Sequence, residues 1–214
     1  DSIINLLHDG DEIIISDQFS TDSTPLILKN YCKSYDFIKV VVPEVFHGSN
    51  DPKNFIKISL NFENAISQCN NDIIVLCDQD DIWFDNRLDL IRNSHINHDC
   101  IVVNGQINEL KVKKSKNIYD LLCPKNKFIS NFWKLRVLGC QLSFRKDFIL
   151  NYINVPRHED ITHDWWWFLN ANLYGKVYIE NTVAFEYRRH ECNNSGGLQS
   201  SSNSLQKKIW IRIV

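Results

Sequence analysis

Hydrophobic and polar positions follow two rhythms along this chain, and each change of rhythm marks an element. Residues 11–16, Asp-Glu-Ile-Ile-Ile-Ser, form a short apolar run that predicts a buried strand. A polar turn from Asp17 to Asp22 follows. Ser23 or Thr24 with Pro25 then predicts a helix start, a cap with proline in the first turn. Leu26, Ile27 and Tyr31 supply the apolar face of that helix. A second strand is expected from Phe37 to Val42, closed by Pro43. Gly48, Asn50, Asp51 and Pro52 break the chain into a loop from Val45 to Lys53. Phe55, Ile58, Phe62 and Ile66 recur at helical spacing, which predicts a helix from Phe55 to Gln68. The apolar run Ile73–Cys77 reads as a strand, and a helix is expected from about Asp85 to Ser94.

The second half continues in the same manner. Cys100–Ile107 predicts a strand, and the polar, lysine-rich stretch from Asn108 to Lys127 predicts a loop or lid. Val137–Phe144 reads as a strand, Arg145–Tyr152 as a short helix and His163–Leu173 as a helix rich in aromatics. Late strands are expected at Lys176–Ile179 and Thr182–Tyr187. Ser, Asn and Gly dominate Glu191–Ser204, which is expected to be mobile, and Lys207–Val214 begins an amphipathic pattern. Strands alternating with helices predict a single α/β domain, a mostly parallel sheet flanked by helices.

Bulk properties narrow the chemistry. A chain of 214 residues is long enough for one α/β domain with a sizeable core. Hydrophobic residues at 43% and charged residues at 23% are ordinary for a globular protein, which excludes a disordered or fibrous chain. A net charge of −2 offers no basic field, so no nucleic-acid partner is expected. No apolar run reaches the length of a membrane span, and no secretory signal is visible. Seven cysteines without a Cys-x-x-Cys pair suggest neither a disulfide framework nor a zinc site, and a reducing cytoplasm fits them. Cys77 and Cys140 lie in apolar runs and are expected to be small buried hydrophobes. The chain begins at Asp1 and contains no methionine, which suggests a processed chain or a fragment.

The most informative stretch is Ile-Ile-Val-Leu-Cys-Asp-Gln-Asp-Asp-Ile-Trp, residues 73–83. An apolar strand delivers Asp78, Asp80 and Asp81 at its carboxyl end. Carboxylates crowded there need something positive among them. Mg²⁺ and Mn²⁺ prefer one or two carboxylates, water and substrate phosphate oxygens, and ligands of α/β sheets bind beyond the carboxyl ends of strands. The Asp-x-Asp spacing therefore suggests a metal–diphosphate site, against the plainer reading of a solvated acidic turn.

Three other clusters carry chemistry. Asp17, at the end of the first strand, can accept hydrogen bonds from a nucleobase or ribose, or can form an Asx-type turn. His163-Asp164-Trp165-Trp166-Trp167 opens a helix, and successive residues point about 100° apart. At least one tryptophan should line a cleft or an interface, and a saccharide groove is a natural use. Asp164 is placed either as a general base or as a charge at the helix amino end. In Tyr187-Arg188-Arg189-His190, the arginines suit a diphosphate and His190 could complete a metal shell.

In order along the chain, Glu12-Ile-Ile-Ile-Ser-Asp17 with Ser20-Thr-Asp22, Asn61-Phe62-Glu63, Leu76-Cys-Asp-Gln-Asp-Asp-Ile-Trp83, Gly139, His163-Asp164-Trp165 and Tyr187-Arg-Arg-His190 with Asn193 and Gly196 form one pattern. It resembles the inverting, nucleotide-sugar-dependent glycosyltransferases of family two with the GT-A (Rossmann-like) fold, in particular bacterial rhamnosyltransferase-like members. The resemblance implies a nucleoside-diphosphate sugar donor and a glycan or lipid-linked saccharide acceptor. It implies Mn²⁺ or Mg²⁺ held by Asp80 and Asp78 with His190 approaching. Asp17 would meet the nucleobase, Arg188 the diphosphate, and Asp164 would be the base. His163, Trp165 and Trp166 would face the acceptor. Residues 1–107 would form the donor half, 108–190 the acceptor half and 191–214 a flexible tail. The implied place of work is the cytoplasm, with peripheral association at the inner face of the membrane.

The chain also departs from the family. The usual Asp-Asp-Gly-Ser turn reads Asp17-Gln18-Phe19-Ser20. The glycine usual shortly before Asn61 is absent, and the family's first strand is expected ahead of Asp1. Two other readings remain beside this one: a non-catalytic carbohydrate- or partner-binding module, and a sugar nucleotidyltransferase. The latter would need a glycine-rich basic loop near its start, and none is visible.

Overall fold

Strand β5, Cys100–Glu109, is the axis of the molecule. Its first four side chains, Cys100 to Val103, are 0% exposed. A strand apolar at every position needs both of its faces covered. Its alternate residues accordingly enter two different cores. Cys100 and Val102 pack with Ile74, Phe144, Trp167 and Phe168. Ile101, Val103 and Ile107 pack with Trp83, Leu88, Ile91 and Phe185.

The structure is a computed structural model that describes residues 2–43, 54–109, 112–153, 155 and 161–189. In chain order the elements are β1 (Ile13–Ser16), α1 (Thr24–Ser34), β2 (Ile38–Val41), α2 (Asn54–Ser67), β3 (Ile73–Val75), β4 (Ile82–Trp83), α3 (Arg87–His95) and β5. Then come β6 (Val112–Asn117), α4 (Ile118–Leu122), α5 (Phe128–Trp133), β7 (Leu142–Arg145), α6 (Lys146–Ile149), α7 (His163–Tyr174) and β8 (Val177–Arg189). Strands β1 and β2 pair in parallel as a two-stranded sheet. The main sheet has the order β3-β7-β5-β8-β4, with β6 also paired to β5.

The α/β architecture flanked by helices is as expected, but the sheet is mixed. Among the described strands only β1–β2 and β5–β8 run parallel, because β7 enters antiparallel between β3 and β5 and the short β4 returns antiparallel along β8. Strands β3 and β4 hold opposite edges of the main sheet, yet only residues 76–81 separate them. A flat sheet of five strands would hold its edges about 19 Å apart. The link is folded on itself, with the Asp81 amide donating to the Asp78 carbonyl (3.4 Å), so the sheet must curl to bring its edges together.

Several boundaries differ from the sequence reading. Asn108–Lys127 is not a loop: it contains β6, paired antiparallel with β5, and α4, whose Ile118 and Leu122 are buried. A lysine-rich sequence suits an edge strand, where lysine blocks further pairing. Val137–Phe144 is not one strand. Gly139–Gln141 forms a 3-10 turn, in which the Gln141 side chain accepts from the Leu138 amide (2.9 Å) and donates to the Val103 carbonyl (3.0 Å). A side-chain amide here replaces ladder bonds, which an apolar run cannot foretell. The two late strands are one, β8, with a register shift opposite Asn104. Buried Asn104 serves the shift, donating to the Asn181 carbonyl (3.2 Å) and accepting from the amides of Gly105 and Tyr119. At α1, the Asp22 carboxylate rather than Ser23 or Thr24 caps the first turn, accepting from the Thr24 amide (2.9 Å).

The unit β1–α1–β2 is thinly packed. Among residues 13–41 only Ile38 is buried, and α1 has no buried residue. Polar side chains join it to the rest. Asn61 donates to the Ser16 carbonyl and Asn64 to the Ser16 hydroxyl (both 2.9 Å), while Asn70 and Asn71 hold the Glu12 carboxylate.

Gly105 tests how tightly the core that holds Ile118 and Phe185 packs on β5. A Cβ there would lie 2.5 Å from Phe185 Cζ and 2.7 Å from Ile118 Cδ1. Gly105→Ala is expected to destabilise the fold by about 1–3 kcal/mol, read as a lower urea midpoint with an unchanged slope.

Candidate active site

The acidic turn leaves β3 inside the curl. Asp81 is 8% exposed, and neither of its carboxylate oxygens has a hydrogen-bond partner among the described residues. One of its oxygens, one of Asp78 and the Cys140 sulfur lie within 4.8 Å of one another. Burial pushes the Asp78 carboxyl up to about 6, and the charges of Asp80 and Asp164 push in the same direction. Burial, followed by Asp78 and Asp80, pushes Asp81 up to about 7. A Cβ on Gly139, the neighbour of Cys140, would lie 3.9 Å from Asp164 Cβ, which puts the start of α7 beside this cluster.

Arg87 supplies the opposing charge. It is 0% exposed, its guanidinium carbon sits 4.3 Å from the Trp83 ring centroid and 4.5 Å from that of Phe185, and Nη2 donates to the Cys140 carbonyl (2.6 Å). It lowers the pKa of both Asp78 and Asp81, although burial outweighs it. Sequence reasoning missed Arg87 and the burial of Asp81. An arginine six residues after Asp81 was nevertheless a visible candidate for the missing positive charge.

The expected site residues fall into three groups. Asp78, Asp80, Asp164 and Arg188 converge: the Arg188 Nε–H donates to the Asp80 carbonyl, tying the turn to β8. The Asp-x-Asp expectation centred on Asp78 and Asp80, whereas the carboxylate that joins Asp78 and Cys140 is Asp81. Asp17 stands on the two-stranded sheet, in the turn that was its plainer reading. Its carboxylate accepts from both the Ser20 hydroxyl and the Ser20 amide. Two residues on, Phe19 has φ +58° and is 53% exposed. That left-handed conformation explains why the family pattern has glycine there.

Around Asp164 the packing is dense. One of its carboxylate oxygens accepts from the Trp165 amide (2.8 Å) in the first turn of α7. His163 stacks on Phe62 at 4.6 Å and meets the Trp167 ring edge-on at 5.0 Å, with Nδ1 3.5 Å from the Ser59 hydroxyl. Helix α2 therefore links Ser16, beside Asp17, to His163, beside Asp164. Gly139 leaves the room this needs, since a Cβ there would lie 3.2 Å from His163 Nε2. Trp167 is core at 0% exposure, Trp165 is buried at 8% with its indole donating to the Asn131 carbonyl (2.8 Å), and Trp166 is half-buried. His190, Asn193 and Gly196 lie outside the described residues, as do the expected loop at 45–53 and the segment 191–214.

With this geometry in place, the comparisons with known proteins are decisive. The model of the family described as glycosyl transferase family 2 matches residues 1–146. The chain belongs to glycosyl transferase family 2. This glycosyltransferase is 30% identical to the dTDP-rhamnosyl transferase RfbG of Shigella flexneri, over 93% of this chain and 69% of that protein. It is 24% identical to an uncharacterized protein of Mycobacterium tuberculosis, over 93% of this chain and 55% of that one. Its fold matches the crystal structure of residues 1–349 of S. aureus TarS in complex with UDP-GlcNAc with a TM-score of 0.59 and 15% identity, over 94% of this chain and 55% of that fragment. The fold is thus the GT-A fold. The chain spans about two thirds of the length of the Shigella relative and about half that of the mycobacterial one. Of the three readings from sequence, the family match selects the glycosyltransferase.

Two predictions follow from the electrostatics. Asp78 and Asp81 have folded pKa values above the ordinary 3.8, so the folded chain holds extra protons between about pH 4 and pH 7. In metal-free protein, stability is therefore greatest at the acid side of that window, falls as pH rises through it and levels off above it. Thermal midpoints of EDTA-treated protein should drop from about pH 5 to about pH 8, and Asp81→Asn should flatten most of the drop. Arg87→Met, which leaves the buried carboxylates without their counter-charge, is expected to lose about 3–5 kcal/mol in equilibrium unfolding near neutral pH.

Proposed function

We propose that this domain transfers a sugar from a nucleoside-diphosphate donor to a hydroxyl of a glycan or lipid-linked acceptor, with inversion, in the synthesis of a surface polysaccharide. The observation that carries the reading is half-buried Asp78 beside buried Asp81, with orphaned carboxylate oxygens on Asp81 and the start of α7 next to them. Oxygen ligands with unmet bonding capacity suit a hard divalent cation. Mn²⁺ or Mg²⁺ would be held by Asp78 and Asp81 together with Asp80, with His190 the further ligand expected from the family. Its chemistry there is to neutralise charge on a departing diphosphate.

The side chains have the remaining roles. Arg188, tied to the carbonyl of Asp80, would meet that diphosphate. Asp164 is the base that takes the proton of the acceptor hydroxyl, which attacks the anomeric carbon opposite the leaving group. Trp166, the most exposed of the three tryptophans, and His163 belong to the acceptor side, and Asp17 to the nucleobase side. The Shigella relative supports a deoxythymidine diphosphate donor, with rhamnose as the sugar. UDP-hexoses are the next class to try. A lipid-linked acceptor would place the work at the cytoplasmic face of the membrane.

Calorimetric titration of dTDP, UDP and GDP, first with Mn²⁺ and then with EDTA, tests the donor site. Binding of one nucleotide that disappears with EDTA is expected. Asp164→Asn should cut transfer by about 10²–10⁴-fold while leaving that affinity unchanged. Unimpaired transfer by the variant would remove Asp164 from the role of base.

A further inference from the structure

The surface of α5 has a use that the donor site does not account for. Ile129 is 74% exposed and Trp133 is 50% exposed, four residues apart on one face of this helix, and Leu121 at the end of α4 is 41% exposed. Lys125, Lys127 and Lys134 flank them and are exposed. Residues 121–134, which follow Asp120, contain three lysines and no aspartate or glutamate, within a chain of net charge −2.

This apolar surface is held outward by a fixed backbone. Asn131, 0% exposed, donates to the Lys125 carbonyl (2.6 Å) and to the Asn172 side chain (3.0 Å). Arg136 donates to the carbonyls of Ser130, Leu122 and Cys123, and Asn126 to that of Val177. The Asn131 carbonyl accepts from Trp165, the neighbour of Asp164, so the surface adjoins the acceptor side of the domain.

We propose that this face docks on an anionic membrane surface, with Ile129 and Trp133 in the headgroup region and Lys125, Lys127 and Lys134 against acidic headgroups. Charge complementarity selects the occupant. A soluble polyanion would satisfy the lysines but leave Ile129 in water, whereas a bilayer interface takes up both kinds of group. Tryptophan is enriched at that depth, and each lysine near an anionic leaflet strengthens binding by about fivefold. The inference rests on the reading that the acceptor is lipid-linked, because docking at α5 would bring that acceptor to the Asp164 side. No described helix is long and apolar enough to cross a membrane, so contact of this kind is made from the surface.

Sedimentation with vesicles of phosphatidylcholine alone, or mixed with phosphatidylglycerol, tests the proposal without donor or acceptor. The protein should pellet with the anionic vesicles only and be released by added salt. Ile129→Ser with Trp133→Ser should weaken binding at least tenfold, and replacing Lys125, Lys127 and Lys134 together by serine roughly a hundredfold. These side chains are exposed, so nucleotide titration of the same variants should be unchanged and serves as the check on folding. Failure of the wild type to pellet, or variants that pellet equally well, would overturn the proposal. So would equally tight binding to soluble polyglutamate that ignores Ile129 and Trp133, which would reassign the face to an anionic polymer. Because nucleotide binding is measured separately, loss of the membrane contact and loss of the donor site are distinguishable.

Discussion

Burial of like charge is the constraint on which this domain depends. The link between β3 and β4 carries three carboxylates, Asp81 buried and Asp78 and Asp80 half-buried, and folding alone gives no reason to put them there. The fold answers with one buried cation. Arg87 lies between two aromatic faces, where its charge is attracted to both rings, and its donated bond to the Cys140 carbonyl fixes it against the turn. The compensation is partial, since both acids remain above their ordinary range. A site whose acids are incompletely neutralised gains from any cation that enters it.

The curl of the sheet and the site are therefore one construction. Joining opposite edges through six residues closes the sheet around the acids, and side-chain amides repair the backbone where the closure disturbs it. Gln141 substitutes for ladder bonds beside Cys140, Asn104 serves the register shift between β5 and β8, and Asn131 joins α5 to α7. Each is buried, and each satisfies groups that would otherwise be costly to exclude from water.

Much of this was legible in the sequence because it depends on local rhythm. The helix over Phe55–Gln68, the strand opening at Ile73 and the doubly buried run from Cys100 are all set by spacing that the structure retains. The acidic turn and Asp164 were legible for a chemical reason, since clustered carboxylates and an acid at a helix start are conspicuous. What escaped depends on distant partners. A polar Lys-rich stretch becomes β6 only because β5 offers it an edge, and an apolar run breaks at Gly139 only because Gln141 reaches Val103. Asp81 looked like one of three equivalent acids, and nothing local shows that it is the most buried of them. The three tryptophans could be divided into buried and half-buried only after α7 had been packed against Phe144 and Asn131.

The thin packing of β1–α1–β2 has a consequence for motion. Amide protection reflects the free energy of the opening that exposes each hydrogen bond, and a unit with one buried residue opens without disturbing the main sheet. Its amides should exchange with solvent far sooner than those of Cys100–Val103, as a separate cooperative block whose hinges are the Asn61, Asn64, Asn70 and Asn71 attachments. Asp17 sits on that block. A ligand that touches both Asp17 and the acidic turn would bind the closed block in preference to the open one and would slow its exchange in proportion to occupancy. The lightly held edge of this domain would then act as its recorder of ligand.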